Sequence, residues 1–307
     1  MTASSQTPVV KVPADRPVPA LTIALLSAVK DACGQLGAHF VLAGATARDI
    51  QFWHLRGIKS PIATRDVDVA VCALSWEFHQ TLIDRLLASG HFTRDAKAQQ
   101  KLIFQRETDA FGVQLDLVPF GPVEAQPGTI AWPPDGDIVM TVLGFQEAVD
   151  TAEQIDIGEG QVVPVVTIPA FVLLKLMAWQ DRRTSTSTDA SDILFVLRKF
   201  FFAGNTDRVY DEAMDLLEAS EFKAEIAAAG LLGRNARDVA RPATRAAVRA
   251  LLRSRTTYAT LQSDLLARAA TLMLGEFVDD SDDLLAAFTA QFVADPPASG
   301  LADDDGG

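Results

Sequence analysis

The spacing of apolar and polar positions divides the chain into two kinds of pattern. Over residues 20–37 apolar side chains recur at helical spacing, and Gly34 and Gly37 mark an exit, which predicts a first helix. The segment "HFVLAG" reads as a short buried strand ending at Gly44, and "ATARDIQFWHLRG" as a helix closed by Gly57. After an "IKSP" turn, "IATRDVDVAV" alternates Val67, Val69 and Val71 with Asp66, Asp68 and Ala70, the period of a strand. A helix through "WEFHQTLIDRLLASG" ends at Gly90, and "KLIFQRE" and "VQLDLVPFG" predict two further strands joined by the turn-like "TDAFG". "VVPVVT" is expected at a sheet edge, because Pro164 has no N–H to give a ladder.

Beyond Pro169 the pattern turns helical. "PAFVLLKLMAWQDRR" opens with proline at a first helical position, and further helices are predicted over residues 190–202, 207–219, 242–253, 257–274 and 283–293. The expected fold is α+β: a mixed β-sheet domain with flanking helices over residues 20–166, followed by an α-helical C-terminal domain over residues 167–294. Residues 1–19 and the acidic tail 295–307 are rich in small, polar and proline residues and are expected to be mobile.

Composition narrows the classes. With 307 residues, 49% of them hydrophobic, the chain can build a sizeable core. A net charge of -13 disfavours general binding to nucleic acid. A local basic groove would have to come from Arg234, Arg237, Arg241, Arg245, Arg249, Arg253 and Arg255. Two cysteines, Cys33 and Cys72, without metal-like spacing fit a reducing compartment. There is no apolar signal core and no run near the ~18 residues of a membrane span, so the expectation is a cytoplasmic protein with no membrane partner.

Candidate chemistry begins with Asp66 and Asp68. Side chains two apart on a strand share one face at about 6.5–7 Å, where two carboxylates repel unless a cation lies between them. Mg²⁺ suits the gap, because it takes one or two carboxylates and completes its octahedron with phosphate and water oxygens. The plain alternative is a strand end facing water. Asp116, centred in "VQLDLV", would bring a third carboxylate to the same face if its strand lies beside that of Asp66, as a two-metal phosphoryl-transfer site requires. In "LAGATARD" a glycine between strand and helix leaves backbone N–H groups open to phosphate. Gly44, Ala45 and Thr46 would form the approach, and Arg48 could reach a phosphate or Asp66. Lys175 in "FVLLKLMAW" would be costly to bury unpaired, with snorkelling as the alternative. Asp189 and Asp192 in "STDASDILFVL" either start a helix near the positive end of its dipole or face the cleft between domains. The four histidines lack zinc-ligand spacing, and no Gly-x-Ser-x-Gly elbow or Walker-type loop occurs.

Strand–Gly–helix, then Asp-x-Asp, then a lone Asp on a later strand resembles the nucleotidyltransferase (polymerase-β-like) superfamily. More narrowly, "TRDVDV" with "IPAFVLLKLMAWQDR" and "TDASDILFVL" is similar to the AbiEii/AbiGii-type nucleotidyltransferase toxins. The resemblance implies a nucleotidyltransferase-like sheet domain, NTP as co-substrate and a two-ion Mg²⁺ site held by Asp66, Asp68 and Asp116. It further implies triphosphate contacts at Gly44, a matching Ser/Thr position at Thr64, phosphate neutralisation by Lys175, and a helical catalytic acid at Asp189 or Asp192. Two departures stand out. The loop reads Gly-Ala where the superfamily has Gly-Gly or Gly-Ser, and the interval from Gly44 to Asp66 is long.

The expected activity is transfer of a nucleoside monophosphate from an NTP to an acceptor hydroxyl. A toxin-like role with tRNA or another RNA as acceptor, and an antitoxin protein as partner, follows from the resemblance. Two alternatives stay open: transfer to a small molecule, as in aminoglycoside-type enzymes, and a non-catalytic nucleotide-binding module.

Overall fold

The computed structural model describes residues 8–62, 66–95, 101–272 and 280–295. Its first element corrects the expectation of a mobile lead-in. β1 (Val9–Lys11) is an edge strand whose partners, Gln154, Ile155 and Asp156, lie far along the chain. Val18 is buried, and His54 Nδ1 sits 2.8 Å from the Arg16 carbonyl. Composition alone could not reveal these distant partners. Residues 1–7 and 296–307 lie outside the described residues.

α1 (Ala20–Leu36) buries Leu25, Leu26 and Val29 and stops at Gly37, whose φ of 65° lets its N–H cap the last carbonyls. β2 (Phe40–Ala43) is buried throughout and runs directly into α2 (Gly44–Asp49), which continues as one π-helical turn over Ile50–His54. β3 (Asp66–Cys72) follows the predicted alternation: Val67 and Val69 are buried, while Asp66 and Asp68 are half-buried on the other face. α3 (Trp76–Ala88) is N-capped by Ser75, whose Oγ accepts from Phe78 N–H. β4 (Phe92–Arg94), β5 (Lys101–Phe104) and β6 (Val113–Phe120) complete one flank. β7 (Thr129–Ala131) and β8 (Val139–Thr141) pair only with each other, and α4 (Phe145–Asp150), β9 (Glu153–Asp156) and β10 (Val162–Val165) follow.

The main sheet has the order β1-β9-β10-β2-β3-β6-β5-β4 and is mixed, with β3 and β6 parallel and β2 antiparallel to β3. β10 is therefore interior, not the expected edge. Val166 N–H donates to the Leu42 carbonyl, and N–H directions alternate along a strand, so position 164 also faces β2. The register with β2 begins only at Val165, just past the proline, so the missing donor interrupts no ladder bond.

The helical part comprises α5 (Ile168–Arg182), α6 (Thr188–Lys199), a kink at Phe201–Asn205 where Ala203 and Gly204 leave helical backbone, α7 (Thr206–Glu212), α8 (Met214–Ala219), α9 (Ala224–Val239), α10 (Pro242–Arg253), α11 (Arg255–Leu272) and α12 (Ser281–Val293). α9 is additional to the sequence reading. Its "AAAGLLG" centre is small, apolar and buried, and its two glycines speak against a helix when read from sequence alone. Gly233 explains the composition: a Cβ there would sit 2.3 Å from the Phe288 carbonyl of α12. The candidate basic groove is only partly neutralised: Arg234 pairs with Asp215, Arg237 with Asp238, Arg241 with Asp150 and Arg249 with Asp295, whereas Arg245 and Arg253 bond the carbonyls of Ala240 and Val293, and Arg253 and Arg255 are exposed. No described helix is long and apolar enough to cross a membrane.

Candidate active site

A cavity of about 500 Å³ opens between the sheet and α5, floored by Asp66, Asp68 and Asp116 and walled on one side by the β7–β8 hairpin. The register brings the acids together. Asp68 is the direct partner of Asp116 across the parallel β3–β6 pair, and Asp66 lies two residues before it on the same face. Lys101 on β5 is the partner of Asp116 on its other side, with Nζ 3.7 Å from Oδ2. The second oxygen of Asp116, Oδ1, is buried and has no hydrogen-bond partner among the described residues. Burial and then the charge of Asp68 push the Asp116 carboxyl up to about 6. Asp68 is raised as well, chiefly by desolvation; Lys175 opposes the shift and Asp66 adds to it.

The strand-to-helix turn lies over this pair. Gly44 has φ of 62°, and a Cβ on it would come within 1.9 Å of Asp68 Oδ2. Both the backbone conformation and the contact require glycine there. Gly44 and Ala45 line the cavity. Thr46 instead anchors the floor from behind, its hydroxyl donating to the Asp66 carbonyl at 2.7 Å. Thr64 lies outside the described residues.

Arg48 is a correction. Its guanidinium is fully buried and donates to Asp49, to Asp192 at 2.5 Å and to the Ile62 carbonyl, so it does not line the cavity and does not reach a phosphate there. The buried Asp192 of α6 and the partly exposed Asp49 of α2 provide the compensation that burial of an arginine demands.

Lys175 is buried at the cavity wall, with Nζ 2.6 Å from Asp192 and 3.2 Å from Asp189. Burial works against its charge, but Asp192 and Asp189 outweigh it and hold its pKa above the ordinary lysine value. Asp189 also accepts two bonds from Arg182, at 2.7 and 2.9 Å, which with Lys175 bring its pKa below the usual range despite burial. Asp49, Arg48, Asp192, Lys175, Asp189 and Arg182 thus form one chain of alternating charge. Asp189 and Asp192, expected as catalytic acids, are 1% and 0% exposed and do not line the cavity; they hold Lys175 and Arg182, which do. They lie three apart on α6 and face α5, so helix pairing keeps them away from the open space.

Two cavity-lining cations escaped the sequence reading. Arg182 follows Lys175 by seven residues, two helical turns on one face, and that spacing was readable. Lys101 needed the β5–β6 register, which sequence does not reveal.

Among the described residues no three His, Cys, Asp or Glu side chains close into a ready-made metal cage. The Asp68–Asp116 pair nevertheless fits a divalent cation. Two desolvated carboxylates face each other, one with a buried unbonded oxygen, and Mg²⁺ needs few protein ligands when phosphate and water supply the rest.

The model of the family described as nucleotidyl transferase AbiEii toxin, type IV TA system, matches residues 25–299. No curated protein matches the chain. Among solved structures, an antigenic nucleotidyltransferase-like protein from Paracoccidioides brasiliensis shares 17% identity, with 69% of this chain and 94% of that one covered and a TM-score of 0.40. ANT(2")-Ia in complex with adenylyl-2"-tobramycin shares 13%, with coverage of 65% and 95% and a TM-score of 0.35. The Thermotoga maritima CCA-adding enzyme complexed with tRNA shares 13%, with coverage of 91% and 82% and a TM-score of 0.25.

Proposed function

The chain belongs to the AbiEii nucleotidyltransferase toxin family, and from that premise we propose that it transfers a nucleoside monophosphate from an NTP to an acceptor hydroxyl in the cavity under Gly44. The observation that carries the reading is the Asp68–Asp116 pair, two carboxylates in direct register on one face of the sheet. Asp66, Asp68 and Asp116 would hold Mg²⁺, which when bound supplies charge neutralisation at the reacting phosphate. Gly44 and Ala45 leave the backbone open to the triphosphate. Lys175 and Arg182 neutralise the pyrophosphate as it leaves, and the buried acids behind them fix both cations in place before substrate arrives. Asp116 Oδ1 accepts the proton of the acceptor hydroxyl.

The acceptor in this reading is an RNA, with tRNA as the first candidate, and the enzyme acts in the cytoplasm under control of an antitoxin. Residues 20–166 and 167–294 act as two parts of one site, the first supplying the acids and the second the cations of α5. A second reading keeps the chemistry and changes the acceptor to a small cationic molecule. It is favoured by the acid partners of Arg234, Arg237, Arg241 and Arg249, which reduce the positive charge that α9 and α10 could offer an RNA. Incubation with each α-labelled NTP and either total RNA or small amines separates the two. Label in RNA supports the first reading, and label in the amines alone replaces it with the second.

A further inference from the structure

Four neighbouring strands contribute one residue each to a row across the floor of the cavity. Ala43, at the end of β2, is the partner of Asp68 on β3, Asp68 is the partner of Asp116 on β6, and Asp116 is the partner of Lys101 on β5. The Gly44 turn therefore stands at one end of the row and Lys101 at the other, three inter-strand steps of about 4.8 Å apart. All of these residues line the cavity.

Lys101 is held loosely. Its Nζ lies 3.7 Å from Asp116 Oδ2, too long for a hydrogen bond, and its side chain is 28% exposed. Lys175 and Arg182, by contrast, are fastened to buried acids at 2.6 and 2.7 Å. A loosely paired ammonium is free to turn its protons toward a ligand.

The direction of transfer gives the two ends of the row different occupants. Attacking and leaving oxygens lie roughly in line on opposite sides of the reacting phosphorus. With the triphosphate at the Gly44 end, the acceptor enters over Asp116 from the β5 side, next to Lys101. Once the acids hold a divalent cation, a further positive charge beside them is unfavourable unless an anion arrives with it. The phosphates of the NTP lie at the far end of the row, so that anion belongs to the acceptor.

We propose that Lys101 is the specificity residue of the acceptor subsite, its ammonium receiving the phosphodiester next to the acceptor hydroxyl. The acceptor is then the end of an RNA chain, and a small cationic molecule would be set against Lys101. The proposal rests on the transfer reading above and adds which residue recognises the charge of the acceptor.

The test compares two acceptors on one preparation of enzyme: a short RNA oligonucleotide, and the same oligonucleotide with its last two phosphodiesters replaced by neutral methylphosphonates. In kcat/KM for the acceptor the wild-type protein should prefer the first by about ten-fold, the size of one charge-assisted contact, and Lys101→Gln should use both nearly equally. Because the preference is a ratio, it does not depend on how much of the variant folds, and a disturbed Asp116 would slow both acceptors alike. No preference in the wild-type protein, or the same preference in Lys101→Gln, would overturn the proposal and leave the transfer reading intact. Transfer to small amines in place of RNA would do the same. If the wild-type protein labels no acceptor, the transfer reading fails separately, and the preference is read from equilibrium binding of the two oligonucleotides to both proteins. A preference lost in Lys101→Gln then supports the assignment, and a preference that is absent or unchanged overturns it.

Discussion

Asp68 and Asp116 face each other across two parallel strands, and the turn at Gly44 lies so close above them that a methyl group would strike Asp68 Oδ2. The acids and the glycine turn are therefore one unit. Three sequence-distant segments must register correctly before the site exists.

Gly44→Ala tests that unity. The left-handed backbone alone costs about 1–2 kcal/mol for a residue with a Cβ, and the clash displaces the Asp68 carboxylate as well. A modest drop in melting temperature with near-complete loss of label transfer is expected. Full transfer activity in a folded Gly44→Ala protein would show that Asp68 need not hold its position.

Arg48 and Lys175 separate architecture from chemistry. Arg48→Met leaves Asp192 with one cation fewer in a buried site, and breaking such a pair costs about 3–5 kcal/mol. Because Arg48 is outside the cavity, the KM for NTP of the surviving folded protein should stay at the wild-type value. Denaturant titration and steady-state kinetics on one preparation check both statements.

Arg182 should behave in the opposite way. Its side chain is half exposed and Asp189 keeps Lys175 as a second partner, so Arg182→Gln should fold almost normally. Its expected defect is weaker handling of the triphosphate, read as a raised KM for NTP and slower transfer. Unchanged kinetics would confine Arg182 to a structural part.

His79 makes stability depend on pH. Burial lowers its pKa from 6.5 to about 4, and its Nε2 lies 3.2 Å from the Leu117 carbonyl. Between those values the unfolded chain binds a proton that the folded chain refuses, so stability falls as pH drops, by about 1.4 kcal/mol per unit. His79→Phe should remove that share of the slope between pH 6.5 and 4. Parallel slopes for the two proteins, measured by urea unfolding, would contradict the assignment.

Much of this was legible in the residues. The alternation at Val67, Val69 and Val71 gave the strand that carries Asp66 and Asp68, the glycine at 44 marked the turn, and the proline-started helix carried Lys175. What stayed hidden depends on long-range partners. β1 exists because residues near Ile155 receive it, β10 is interior because Pro164 falls just before its register with β2, and the centre of α9 is small and glycine-containing because it is enclosed against α12. Arg48 and Asp192 looked like site residues because charges in apolar surroundings suggest chemistry. In the fold they neutralise each other, and a single chain gives no warning of such a pairing.

The most direct test of the central claim is label transfer from α-labelled NTP to total RNA by Asp116→Asn beside the wild-type protein, with melting temperatures measured in metal-free buffer. Removing one of two opposed, desolvated carboxylates should stabilise the fold by about 1–3 kcal/mol while abolishing transfer. A folded Asp116→Asn protein that transfers label at the wild-type rate would contradict the account.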